Sequence, residues 1–502
     1  GKELDLLTTM LPTLLFVIGI SGTVHLVSKY AEEVHFGTEK FTAIKRTIKE
    51  VGLATFLTSF TTAIGFFSLI TMDNVPVREF GIYTGVGVLF TYVVAILLLP
   101  AVMVQLPPKR MARTLATPAR FWRQSLTGIF TWSLRNYRWV LVACAGVVIL
   151  SIFGLSRVRV DNYFLDDLQP QSGLYQDLHF FQDNFSGIRP FEMSVDLVDT
   201  SRSLLDLEVV RHIETVETYL REKYGAGFLL SPATIVKATH QTINGGMAQQ
   251  YRLPDNEAAM KKVATNLRKY NELRRLRHLI TEDLRQGRIT GKMDDIGSEA
   301  ALAMNADLNQ FVAANTDPEL VSFKLTGAAT LMDNNSRNIT GNLVLGLSLA
   351  LLIIGALMGL LFRSWKMVVI SLVPNILPLL IIGSVLGFFD VHLRVSTSLV
   401  FTIAFGIAVD DTIHFLSKLK IELRRGRSFV AAARNTFLST GKAIILTSLI
   451  LTSGFSVFLW SEFQGTFIIG SLICLTLLIA VVADLFLLPA LLLWMFGDQE
   501  SE

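Results

Sequence analysis

Cysteine is nearly missing from this 502-residue chain: Cys144 and Cys474 are the two it has, and both lie in apolar runs. No disulfide framework therefore supports the fold, and the cysteines carry no information on redox compartment. Charge is scarce as well. Charged residues make up 17% against 51% hydrophobic, with a mean hydropathy of +0.48, which excludes an ordinary soluble globular protein of this length. The net charge of +3, carried in short basic blocks beside apolar runs, argues against a nucleic-acid partner. The phosphate-cradling pattern G-x-x-x-x-G-K-[ST] does not occur. STGKA at Ser439–Ala443 has the Gly-Lys pair but neither the upstream glycine nor the following hydroxyl, which argues against ATP as the energy source.

What the chain does have is long apolar runs. A span needs about 20 such residues to cross about 30 Å of hydrocarbon. Runs of that kind lie near 8–28, 50–71, 78–104, 138–156, 342–362, 367–389, 395–417 and 441–494, the last dividing at WSEFQG, Trp460–Gly465, to give nine helices. Lys and Arg crowd alternate loops: Lys40–Lys49, Lys109–Arg138, Arg363–Lys366 and Lys418–Arg434. By the positive-inside rule these face the cytoplasm, and the polar segment from Arg157 to Gly341 then faces outside. That segment mixes periods. FEMSVDLV alternates, SLLDLEVVRHIETVETYLREKY is helical, and RITGKMDD and VSFKLTGAA are extended, so it is expected to be an α+β domain. Its basic run LRKYNELRRLRHLITEDLR has acidic residues interspersed and is expected to be a solvated helix face. RFWRQSLTGIFTWSLRNYRW, Arg120–Trp139, is expected to be a connecting helix on the cytoplasmic surface.

Sliding the chain by 389 residues exposes a repeat. HLVSKYAEEVHFG, His25–Gly37, falls on HFLSKLKIELRRG, His414–Gly426, without a gap. The register continues with Gly52 on Gly441, Thr58-Ser59 on Thr447-Ser448, Gly65 on Gly454, Gly81 on Gly470, and LLPA at Leu98–Ala101 on LLPA at Leu487–Ala490. Both copies start by crossing inward, so the repeat is parallel, about an axis along the membrane normal. The expected fold class is a polytopic α-helical membrane protein with a parallel internal repeat plus an α+β extramembrane domain. The expected divisions are 1–104, the last three helices of the first repeat; 105–137, a cytoplasmic linker with an interfacial helix; 138–156, a helix; 157–341, the outside domain; and 342–496, five helices of the second repeat. By subtraction, a front portion on the order of 260 residues, with three helices and a second outside domain, is expected before Gly1.

Inside the run at 395–417 stands FGIAVDDTIHFLSKL, with Asp410 and Asp411 adjacent. At 1.5 Å per residue from Lys418 they lie roughly 10 to 12 Å deep. An ionised carboxylate at a helix centre costs about 2.5–3.5 kcal/mol on insertion scales. Two neighbours in low dielectric cannot readily both ionise, so the pair reads as a titrating site rather than as helix glue. His414, four residues on, shares the face of Asp410 and is a candidate to share its proton or simply to pack. The first copy keeps His25 but has Ser21 and Gly22 at the aspartate positions, so the carboxylates belong to one half. Asp484 stands where the first copy has Ala95 and is a candidate for the same relay. Thr447 and Ser448 are candidate helix-contact hydroxyls.

GIAVDD, Gly406–Asp411, resembles the G-x-x-x-D-D signature of the resistance-nodulation-division superfamily, and the two-copy plan resembles its architecture along the whole chain. DNYFLDDLQPQSGLYQDLHFFQDNFSG is similar to the branch that includes hopanoid exporters, mycobacterial lipid exporters and Patched-like proteins. The resemblance implies proton-driven movement of hydrophobic or lipid-like molecules across a bacterial inner membrane, with the 157–341 domain periplasmic, Gly406 as the motif glycine, and Asp410 and Asp411 as relay positions. Ser21 and Gly22 depart from relatives with relay residues in both halves, which leaves one proton path and the stoichiometry open. Expected partners are membrane lipids, protons and a lipid-like cargo, with a periplasmic partner protein and self-association left open. No cofactor, metal or catalytic residue is expected. A sodium-coupled variant, a non-transporting sensor or assembly subunit, and an intramembrane aspartyl protease are the alternatives. Against the protease, GIAVDD is not G-x-G-D, and the first copy keeps Pro100-Ala101 with no aspartate near it.

Overall fold

The computed structural model describes residues 5–105, 107, 119–269 and 278–497. The chain divides into two compact units, one formed by 1–160 with 338–502 and the other by 161–337.

The first unit opens with α1 (Leu6–His35), α2 (Lys40–Phe67), α3 (Val75–Gln105), α4 (Ala119–Arg135) and α5 (Tyr137–Leu155). Among the described residues nine helical segments are long and apolar enough to cross a membrane, the first three and α5 among them. Several run past the apolar stretches that announce them. α1 continues to His35 rather than ending near 28, and α2 begins at Lys40 rather than near 50. The added turns are polar and hold themselves: Lys29 pairs with Glu33 at 2.8 Å one turn on, so the helix persists where hydropathy has already fallen. Gly37 then stops α1 at φ +82°, a left-handed conformation that glycine adopts without cost. α4 covers most of the expected connecting helix and buries Leu126, Phe130 and Ser133. The basic positions 109, 110 and 113 of the linker lie outside the described residues.

The second unit holds α6 (Gly173–Asn184), β1 (Arg189–Leu197), α7 (Leu207–Glu222), β2 (Gly227–Leu230), α8 (Pro232–Ile243), α9 (Glu257–Lys269), β3 (Gln286–Met293), α10 (Gly297–Asn315), β4 (Val321–Thr326) and α11 (Gly327–Arg337). Its sheet is antiparallel throughout, in the order β2-β3-β1-β4. Alternation in FEMSVDL sends Phe191, Met193 and Val195 inward, where Met193 faces Ile289 and Val195 faces Phe323 across the ladders. Val209, Val210, Ile213, Val216 and Leu220 of α7 belong to the same core. Buried Arg189 ion-pairs with Asp333 and lies 3.7 Å from Asp295, with its guanidinium over Phe164. Burial pushes the Asp295 carboxyl up, against the pull of that guanidinium. Of the basic run, residues 270–277 lie outside the described residues, while Leu267, Ile280 and Leu284 are buried in the core.

The chain returns through α12 (Ile339–Phe362), α13 (Trp365–Phe388), α14 (Val395–Arg424), α15 (Phe429–Phe455), α16 (Gln464–Val482) and α17 (Leu488–Phe496). α14 and α1 have both ends 389 residues apart, and Gly426 ends α14 at φ +77° as Gly37 ends α1. α14 also outruns its apolar stretch, to Arg424 rather than 417, and α15 begins at Phe429 rather than near 441. Between α16 and α17 the chain makes one wide π-helical turn, Ala483–Leu487, which carries Asp484. Pro489 just beyond it has no N–H to continue the regular ladder, and an apolar run gives no sign of such a turn.

Candidate functional site

The site is assembled on α14, which is enclosed along most of its length, from Thr397 to Leu416, among α2, α13, α15 and α16. Close approach comes first. Gly406 lies against Gly65 of α2, where a Cβ added to Gly65 would sit 2.8 Å from the Gly406 Cα. Thr62 Oγ1 donates to the Gly406 carbonyl at 2.6 Å across the same crossing. Glycine at 406 thus lets α2 reach the backbone of the helix one turn before the aspartates.

Asp410 and Asp411 are both buried, and each is held by a different part of the bundle. Asp410 Oδ2 accepts from Ser21 Oγ of α1 at 2.7 Å, and its Oδ1 lies 3.4 Å from His414 Nε2. Asp411 turns to α15, where Thr447 Oγ1 is 3.1 Å from Oδ1 and Ser448 Oγ is 3.2 Å from Oδ2. Thr447 Oγ1 is also 2.9 Å from the carbonyls of Ala443 and Ile444. Its single proton can serve a carbonyl or the carboxylate, so this partner can switch without the helix moving. On the other side His25 Nε2 of α1 lies 3.7 Å from Asp411 Oδ1.

The two histidines stack, ring centroids 3.8 Å apart and planes within 12°. Residues 389 apart therefore meet face to face here, Ser21 with Asp410 and His25 with His414. This is how two-fold-related elements behave close to their axis. The repeat register carries that signal, since it sets Ser21 opposite Asp410 and His25 opposite His414. Ser21 and His25 are the residues that reasoning from sequence missed.

Asp484 is buried but bonded to neither aspartate. Its Oδ1 accepts from Thr412 Oγ1 at 3.0 Å, and the same hydroxyl lies 3.2 Å from Asn375 Nδ2 of α13. Thr412 follows Asp411 in the chain but leaves α14 on another face, so Asp484 joins the site through one hydroxyl and not by contact. Its Oδ2 has no hydrogen bond among the described residues, and neither do Asp410 Oδ1, His25 Nε2 and His414 Nε2.

His25, His414 and Asp410 each offer an atom within 4.8 Å of the others, a spacing that a metal ion would need. The ring geometry does not fit one. Imidazole lone pairs stay in the ring planes, and two near-parallel stacked planes cannot aim them at a single point. The arrangement gathers two carboxylates, two imidazoles and three hydroxyls, groups able to exchange protons, in a buried space.

The fold and this site define a multi-pass membrane protein with paired carboxylates inside its most enclosed helix. The MMPL family model matches residues 4–135 and 230–499, and the chain belongs to that family. These are transporters, and the resistance-nodulation-division resemblance of Gly406–Asp411 agrees with the assignment. A protein of Methanocaldococcus jannaschii, named only as a membrane protein, is 23% identical over 362 residues, which covers 69% of this chain and 88% of the relative. Protein dispatched homolog 1 of Mus musculus is 39% identical over 62 residues, 12% of this chain and 4% of the relative.

Proposed function

We propose that this chain moves hydrophobic, lipid-like molecules across or out of a bacterial inner membrane, driven by protons that bind and leave at Asp410 and Asp411. The observation that carries the reading is the pair itself: adjacent carboxylates buried in one helix, each anchored to a different helix, Asp410 to α1 and Asp411 to α15. Two such groups share their protonation, because ionising one raises the cost of ionising the other. Neutral, the pair tolerates a dry environment; charged, it draws hydroxyl and imidazole donors toward it. Each protonation state then favours a different packing of α1 and α15 against α14, and the cycle alternates between them. α5 and α12 continue in sequence into the 161–337 unit, so helix movement has a covalent path to that unit and its cargo. Thr447 and Ser448 hold Asp411 in this cycle, His414 faces Asp410, and Asp484 is a reserve carboxylate linked through Thr412.

The function is tested in vesicles of phosphatidylethanolamine and phosphatidylglycerol carrying the purified protein and a fluorescent lipid analogue. An imposed pH gradient is expected to speed redistribution of the analogue, and a collapsed gradient to abolish the gain. Equal rates with and without the gradient would refute proton coupling.

Orientation follows from the basic loops, with the 161–337 unit periplasmic. A cysteine at Gly245, in a chain lacking Cys144 and Cys474, is expected to react with an impermeant thiol reagent in intact spheroplasts. A cysteine at Arg427 is expected to react only after the membrane is opened. The reverse pattern would invert the topology.

A further inference from the structure

A chamber of about 700 Å³ opens beside the histidine stack, lined by His25 and Lys29 of α1, Glu50 of α2, His414 and Lys418 of α14, and Ser439 of α15. It lies on the side of the site toward Arg424, the end where the basic loops gather. A water takes about 30 Å³ of liquid volume, so the chamber has room for several, and the polar side chains in its otherwise mostly apolar lining give them partners.

One flank of the chamber is tied shut. Glu50 Oε2 lies 3.2 Å from Lys29 Nζ and 3.8 Å from Lys418 Nζ, and its Oε1 is 3.2 Å from Arg425. Lys29 and Lys418 are 389 residues apart, and so are Glu33 and Glu422, their partners one turn on at 2.8 and 3.7 Å. One carboxylate therefore holds the matching lysines of α1 and α14 together. The position 389 residues after Glu50 is Ser439, an exposed residue that supplies no such clamp.

We infer that this chamber is the aqueous route to the carboxylates, and that His25 and His414 pass protons between its water and Asp411 and Asp410. The inference rests on the relay reading for its direction and on geometry for its residues. Both rings line the chamber, and each Nε2 lies near a carboxylate, His25 at 3.7 Å from Asp411 and His414 at 3.4 Å from Asp410. Neither Nε2 has a hydrogen bond among the described residues, so each is free to engage the carboxylate it faces. A neutral ring takes a proton from chamber water at one nitrogen, becomes imidazolium, and releases the proton on Nε2 to the carboxylate; release toward the chamber runs the same transfers backwards. Stacked imidazolium rings at 3.8 Å would repel, so the pair carries one proton at a time.

The test uses the full chain with Cys144 and Cys474 replaced by serine. Ser28→Cys and Ser417→Cys place thiols one turn from the two histidines on chamber-lining positions, and Leu97→Cys, at an exposed apolar position of α3, serves as control. A trimethylammonium methanethiosulfonate reagent, which modifies thiols only where water reaches them, is expected to label both chamber positions from the Arg424 side and not from the other, and to leave Leu97→Cys unlabelled. No labelling of either chamber position from either side would overturn the route. In vesicles, His25→Ala and His414→Ala are expected to lower proton flux below the wild-type rate, and added imidazole to restore it. A structural role would give no such rescue, and flux that stays low in imidazole would overturn the shuttle. Normal flux in Asp410→Asn and Asp411→Asn with intact chamber labelling would instead sink the relay and leave the water route standing.

Discussion

Asp410→Asn and Asp411→Asn are each expected to lower pH-gradient-driven flux by about 100-fold or more, the scale on which a positioned acid–base group acts, with the protein still folded and inserted. Asparagine matches aspartate in shape. At 410 its carbonyl can still accept from Ser21 Oγ, and at 411 from Thr447 or Ser448. What it cannot do is ionise. An amide is also cheaper to bury than a charge, so the variants lose no stability through desolvation. Size-exclusion elution and yield are therefore expected to match the wild type while flux is lost. The pair is coupled, so the double variant should be no worse than either single one. Separate additive losses would mean two independent proton sites rather than one.

The second large effect is expected at the α2–α14 crossing. Gly65→Val puts a branched side chain where even a Cβ would lie 2.8 Å from the Gly406 Cα and 3.2 Å from its N. Those atoms are backbone, and residue 406 is already glycine, so no trimming relieves the clash. Overpacking costs about 1–3 kcal/mol when side chains can shift and more when they cannot, so a loss of folded, monodisperse protein is expected. The position 389 residues on behaves differently. A Cβ at Gly454 would meet Val17 Cγ2 at 2.5 Å, an atom that can be removed. Gly454→Ala is expected to be destabilised and then recovered by Val17→Ala, whereas no single truncation should recover Gly65→Val. Melting curves in detergent, read for the singles and the Gly454→Ala/Val17→Ala pair, check both halves of this expectation.

The membrane helices were legible because crossing hydrocarbon demands long apolar runs, and nothing else in the chain produces them. Their ends were not: α1 and α14 continue for about two turns on Lys–Glu pairs one turn apart, which lower hydropathy while preserving helix. The strands of the second unit were legible where alternation was clean, as in Phe191–Val195. The short β2 carries no such pattern, because it is paired at the sheet edge with a register shift. At the site, two acidic residues in an apolar run could not be overlooked. Their partners are another matter, since Ser21, Thr447 and Ser448 look like the small hydroxyl residues of any helix contact, and only packing turns them toward a carboxylate. His25 gives no signal from its own helix, which lacks aspartates. The structure supplies one from α14, at 3.7 Å. The π-turn that carries Asp484 has no local signature beyond Pro489, and the link from Asp484 through Thr412 depends on a face of α14 that periodicity alone does not single out.

The central claim is that the Asp410–Asp411 pair takes up and gives up a proton inside the membrane. Infrared difference spectra of the reconstituted protein between acid and alkaline buffer measure this directly, through the C=O stretch of a protonated carboxyl shielded from water. A pH-dependent band that shifts in D2O and disappears in both Asp410→Asn and Asp411→Asn is the predicted result; a spectrum unchanged by either substitution would contradict it.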